Sequence, residues 1–138
     1  MDILAVPFHQ YLNIEAHTGD DYIFELEERP EYLNHLHTIH ACVQLTLAEA
    51  SSGEFLLREF KEFEAEVIPV IRRTEVKYHR PANGTLYSRA SLQSSSNAEV
   101  VDVLVNTSRA IVQIKVEIFD WSKKKVLTAV FDWFLKMK

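Results

Sequence analysis

The sequence predicts an α+β fold in which one antiparallel sheet wraps around a single long helix. Three observations predict it. Tyr22–Glu27 alternates in the manner of a strand, Ile39–Ala50 is a nearly continuous apolar run too long for one, and several β-branched stretches separated by turn signals follow Val67. Nothing in the composition divides residues 1–138 into more than one domain.

Residues 2–13 read as a short helical or irregular lead-in, with Pro7 suited to a first helical turn. Tyr22-Ile23-Phe24-Glu25-Leu26-Glu27 alternates apolar and acidic side chains, the period of a half-buried strand, and Pro30 with a His/Asn-rich loop ends it. Thr38 is the expected N-cap of the next element. From Ile39 to Ala50 the apolar side chains fall on nearly every face, which marks a buried helix. After Gly53, Phe55, Leu56, Phe60 and Phe63 are interspersed with Arg58, Glu59, Lys61 and Glu62, an amphipathic continuation toward solvent.

The second half is mostly strand. Val67–His79 carries β-branched residues and alternating charge, Pro81-Ala82-Asn83-Gly84 is a turn, and Leu86–Gln93 is extended. Ser94-Ser95-Ser96-Asn97 leads into Ala98–Val105, where the capping serines favour a short helix and the valines a strand. Ala110–Asp120 and Val126–Leu135 form a hairpin across Ser122-Lys123-Lys124-Lys125, whose lysines are expected as a solvated tip.

The composition, 47% hydrophobic and 25% charged, is that of a globular protein. A net charge of −5 argues against a nucleic-acid partner, although a local basic patch can still hold a small anion. The single Cys42 excludes an intramolecular disulfide and fits a reducing compartment. Met1–Pro7 lacks the basic start of a signal peptide, and no apolar run reaches the roughly 18 residues of a membrane span. The expected location is the cytoplasm, with no membrane partner.

One stretch stands out: Asn34-His35-Leu36-His37-Thr38-Ile39-His40-Ala41-Cys42, with Glu49 nine residues past His40. An amide, an imidazole and a helix start sit beside one carboxylate in an otherwise apolar run. Burying a carboxylate costs several kcal/mol unless it is paired or neutral, so Glu49 needs a reason to be there.

The spacing Asn-x-x-x-Thr-Ile-His, then Glu nine positions on, resembles the hotdog-fold acyl-CoA thioesterases of the phenylacetate-degradation type. Members carry an Asn-x-x-Gly-Thr-Val-His-Gly-Gly loop before the central helix and an Asp or Glu at the same offset within it. Val76-Lys77-Tyr78-His79-Arg80-Pro81-Ala82-Asn83-Gly84-Thr85-Leu86 is similar to the family's strand ending in Arg-Pro-Ala, then Gly, then the next strand. The resemblance runs from about Tyr22 to Lys136. The chain departs from the pattern at His37, where the family has its first Gly, and at Ala41-Cys42, where it has Gly-Gly. Those glycines let backbone amides approach a thioester carbonyl closely.

The resemblance implies hydrolysis of an acyl-CoA thioester to free acid and coenzyme A, without a cofactor. It implies that the amides of Ala41 or Cys42 at the helix N-terminus stabilise the oxyanion, that Asn34 orients the carbonyl or the attacking water, and that Glu49 is base or nucleophile. His40 is expected to brace the loop. Nine helical residues span roughly 13 Å and half a revolution, so His40 and Glu49 of one chain cannot serve one thioester. The resemblance resolves this with a homodimer, which pairs Glu49 of one subunit with the loop of the other and pairs further into a tetramer in some members.

Plainer readings stand beside these. Asn34 can cap its own loop, Glu49 can reach the surface, and Cys42 can be a small core residue rather than a thiol nucleophile. His35, His37 and His40 are too few and too local for a metal site, and none is expected. Arg72, Arg73, Lys77, Arg80 and Arg89 are candidates for coenzyme A phosphates or ordinary strand charges. Phe119, Trp121, Phe131, Trp133 and Phe134 are expected in core and interface packing. Two other functions fit the fold. One is a non-catalytic acyl-CoA-binding protein, favoured by the missing glycines. The other is an acyl-thioester hydratase or dehydratase, opposed by the lack of His-Phe-Pro…Pro-Gly and Asp-x-Asn-Pro-x-His patterns.

Overall fold

The computed structural model describes residues 1–138. A 3-10 turn at Ile3–Ala5, capped by the Asp2 carboxylate, leads into α1 (Pro7–Tyr11) with Pro7 in its first turn. Two short strands follow, β1 (Glu15–Ala16) and β2 (Phe24–Leu26). Then come the long helix α2 (Ala41–Glu59), β3 (Val67–Tyr78), β4 (Leu86–Leu92), α3 (Asn97–Thr107), β5 (Arg109–Phe119) and β6 (Lys125–Met137). The six strands form one antiparallel sheet in the order β1-β2-β4-β5-β6-β3, leaving β3 on an edge. The sheet wraps α2, the arrangement expected from the sequence.

The core lies between α2 and the concave face of the sheet. Alternation in β5 sends Val112, Ile114, Val116 and Ile118 inward, each fully buried, against Leu47, Ala48 and Leu56 of α2. The middle of the helix is small, Ala48 to Gly53 with Glu49 as the one long side chain, so the sheet comes close. A Cβ on Gly53 would lie 3.2 Å from Ile3 Cδ1. Ser51 is buried without cost because its hydroxyl donates to the Leu47 carbonyl and lies 2.6 Å from the Ser88 hydroxyl, which accepts Phe24 N–H. This chain of hydroxyls ties α2 to β4 and β2.

Several expectations change. His40, not Thr38, is the N-cap of α2, because the Thr38 hydroxyl is already held by Asn34. The ambiguous segment after the serines is helix α3, capped by Ser96 through Glu99 N–H, and it closes the end of the core with Val100 and Leu104. The expected strand at Tyr22–Glu27 shortens to three residues. Cys42 and Glu49 are exposed rather than buried. Phe131 is core, but Trp121 is 66% exposed at the β5–β6 turn. Lys123 at that turn lies over the rings of Tyr87 and Tyr22, at 3.9 and 4.8 Å, instead of standing free in solvent. No helix is long and apolar enough to cross a membrane.

Candidate functional site

The loop before α2 is built around one amide. Asn34 Oδ1 accepts the N–H groups of Leu36 and Thr38 at 2.9 and 3.2 Å, and Nδ2 donates to the Thr38 hydroxyl. This closes a tight turn, and His37 within it takes a left-handed φ of +58°. Glycine would meet no steric cost there, whereas the Cβ of His37 is strained. The loop is anchored by Ile39 N–H to the Ala82 carbonyl and by His40 N–H to the Tyr32 carbonyl.

At the start of α2 the His40 imidazole Nδ1 accepts Cys42 N–H at 3.0 Å. The first amides of a helix have no intrahelical acceptor. With that of Cys42 held by His40, the amide of Ala41 is the one left to meet a ligand. Tyr78 on β3 donates its hydroxyl to the Ala41 carbonyl at 3.2 Å and so fastens the sheet edge to the helix start. Burial, and then the neighbouring Cys42 thiol, push the Tyr78 phenol above its ordinary range, so it stays a neutral donor.

A cavity of about 330 Å³ opens here, lined by Asn34, Thr38, Ala41, Gln44, Tyr78 and Arg80 among others. Gln44 is 4% exposed; its Nε2 donates to the Ile39 carbonyl while Oε1 has no partner. His79 also borders the cavity, with Nε2 2.8 Å from the Thr128 hydroxyl. Partial desolvation by its surroundings and then the charges of Lys77, Lys125 and Arg80 hold the exposed His79 below the ordinary imidazole range, opposed by Glu117. The site is therefore a helix N-terminus with one open amide, beside a basic rim.

Of the residues expected from the sequence, Asn34 and Ala41 line this cavity and His40 caps the helix beside it. Glu49 does not line it. It stands exposed two turns from Cys42 on the same helix face, whose first turn lies beside Tyr78 of the edge strand. Gln44 and Tyr78 were missed. The signal for Gln44 was an amide inside an apolar run; Tyr78 stood within the strand motif itself. Among the candidate cations, Arg72 lies over the Phe134 ring, Arg73 pairs with Glu75, and Arg89 lies over Tyr22 and Phe119. Arg80 alone of the five lines the cavity. No three His, Cys, Asp or Glu side chains are grouped as metal ligands would be.

A family model described as a domain of unknown function (DUF4442) matches residues 11–135. No curated protein matches the sequence. Among solved structures, the chain is similar to a protein of unknown function from Pseudomonas aeruginosa described as a probable thioesterase. The TM-score is 0.81 at 18% identity, covering 99% of this chain and 91% of that one. It is similar to a putative thioesterase from Shewanella oneidensis, with a TM-score of 0.77 at 14% identity over 94% and 88% of the two chains. A Bacillus halodurans protein solved with CoA gives a TM-score of 0.64 at 16% identity, over 81% of this chain and 69% of that one. These likenesses establish the hotdog fold.

Proposed function

The chain belongs to the DUF4442 family and has the hotdog fold, and from that premise we propose that it hydrolyses an acyl-CoA thioester. The observation that carries the reading is the helix N-terminus, with the amide of Ala41 open, facing one cavity shared with Asn34. The thioester oxygen sits on that amide, where the positive end of the α2 dipole stabilises the developing oxyanion. Asn34 spends its side chain on the loop and so sets the position of the site instead of touching the reacting atoms. Glu49 of the partner subunit takes the proton of a water whose oxygen attacks the thioester carbon. The tetrahedral adduct then expels coenzyme A thiolate and leaves the free acid.

The dimer in this reading forms along β3. Its twelve residues pair on one side only, with β6, and a long unpaired edge is a template for a second strand. Pairing two copies of β3 brings the helix faces that carry Glu49 toward each other. The relatives described as thioesterases and the one solved with CoA support the reaction class and its substrate.

Thiol release from short, long and aromatic acyl-CoAs tests this, with wild type beside Glu49→Gln and the mass in solution measured against the 16.0 kDa chain. The expected result is a dimer or larger assembly whose turnover falls about 10²- to 10⁴-fold in the variant. Equal turnover in both, or a monomer with full activity, removes Glu49 from the mechanism. One observation favours a second reading, an acyl-CoA-binding protein without turnover: His40 already occupies the Cys42 amide, so one backbone donor serves where the related loops offer a Gly-Gly pair. Binding of acyl-CoA with no hydrolysis in wild type selects it.

A further inference from the structure

Trp121 is a largely exposed aromatic ring, and it is held in place. It stands at the β5–β6 turn, where Asp120 Oδ1 accepts the N–H groups of Ser122 and Lys124 at 2.9 and 3.0 Å. Hydrogen bonds from the Ser122 hydroxyl and these amides, with the charge of Lys124, outweigh the effect of burial and hold the Asp120 carboxyl below its ordinary range. The indole leans on Gly84, where a Cβ would lie 2.7 Å from Trp121 Cδ1. Gly84 in turn has a φ of +70° and donates its N–H to Glu28. A bulky ring fixed this way yet 66% exposed buries little of its own surface.

Gly84 ends the turn that begins at the cavity. Arg80 and Pro81 line the cavity, and the chain from Pro81 to Gly84 spans at most about 11 Å. One cation stands at the start of this path: Arg80 lines the cavity and pairs with no carboxylate, whereas Lys125 pairs with Glu117. The surface thus runs from the open amide of Ala41, past the unpaired Arg80, to a rigid indole face. A hydrophobic core has no use for that order. A ligand with a reactive end, anionic groups and a flat aromatic end matches it.

We propose that Trp121 and Arg80 form the subsite for the phosphorylated adenosine of the thioester substrate, the adenine stacking on Trp121 and a phosphate meeting Arg80. This rests on the thioesterase reading for the identity of the substrate and adds the residues that recognise its far end. Stacking on an indole is tolerant of base identity, while the Arg80 cation gives salt-dependent affinity.

The test compares one acyl group carried on coenzyme A and on pantetheine, which lacks the nucleotide. Wild type is expected to show a KM for acyl-CoA about tenfold below that for acyl-pantetheine, and Trp121→Ala to erase most of that ratio. Trp121→Tyr, which keeps a flat ring, is expected to restore it. In a parallel titration, adenosine 3′,5′-bisphosphate quenches tryptophan emission in wild type but not in Trp121→Phe, where Trp133, half-buried against the core, is the remaining indole. Equal KM values for the two thioesters in wild type, or quenching that survives in Trp121→Phe, overturns the subsite while leaving hydrolysis intact. If neither thioester is hydrolysed, the reaction falls, and the quenching titration decides the subsite by itself.

Discussion

The imidazole Nδ1 of His40 accepts the N–H of Cys42 at 3.0 Å, so the residue that heads α2 also closes its first turn. This acceptor exists only in the neutral tautomer that carries its proton on Nε2. Loss of an N-cap side chain costs about 1 kcal/mol, and a short polar side chain can take over the same bond. His40→Ala is expected to lower the unfolding free energy by about that amount, and His40→Asn to recover most of it. Urea titrations of the three proteins decide it. Equal losses in Ala and Asn variants mean that the imidazole is held for its packing.

His37 sits at a φ of +58°, where the resembling family has glycine. A left-handed conformation costs a residue with a Cβ roughly 1–2 kcal/mol, and the extra freedom of glycine in the unfolded chain returns part of it. His37→Gly is therefore expected to stabilise the fold by up to about 1 kcal/mol. A lower melting temperature in the variant means that the His37 side chain makes a contact worth more than its strain.

Most of the fold was legible because its signals are local. Strand alternation in β5 and β6, the Pro81–Gly84 turn and the apolar run of α2 each follow from neighbours in sequence, and each element stands close to where the pattern put it. The cap was misplaced because Thr38 has a side chain usual at that position and His40 does not. What decides between them is a side chain four residues back, Asn34, which takes up the Thr38 hydroxyl. The acid Glu49 looked buried because its neighbours in sequence are apolar. Exposure depends on which face the sheet covers, and that is a property of the whole wrap. The loop residues were found by resemblance. The pairing of Trp121 with Gly84 joins positions 37 apart with no periodic signal to link them.

His79 lies below its ordinary value of 6.5 because of partial desolvation first and then Lys77, Lys125 and Arg80, with Glu117 pulling the other way. A histidine with a lowered native pKa binds its proton more readily in the unfolded chain. Stability is thus expected to fall as pH drops below 6.5 and to level off once the native residue is protonated. His79→Gln removes that part of the slope. In NMR titration the His79 midpoint is expected below 6.5 and higher in Lys77→Gln than in wild type. An unchanged midpoint shows that the lysine is not the source of the shift.

Gly84 is held by two separate constraints. Its φ of +70° disfavours any L residue, and a Cβ would come within 2.9 Å of two further Trp121 atoms, Cβ and Cγ, besides Cδ1. The first costs roughly 1–2 kcal/mol, and forcing the indole away adds a comparable amount. Gly84→Ala is expected to destabilise the protein by at least about 2 kcal/mol. The double variant Gly84→Ala with Trp121→Ala separates the two, because it removes the clash and keeps the backbone strain. The double variant is therefore expected to stand above the stability of Gly84→Ala alone by about 1 kcal/mol. If the two substitutions simply add, the indole does not press on Gly84, and the rigid platform assigned to Trp121 loses its foundation.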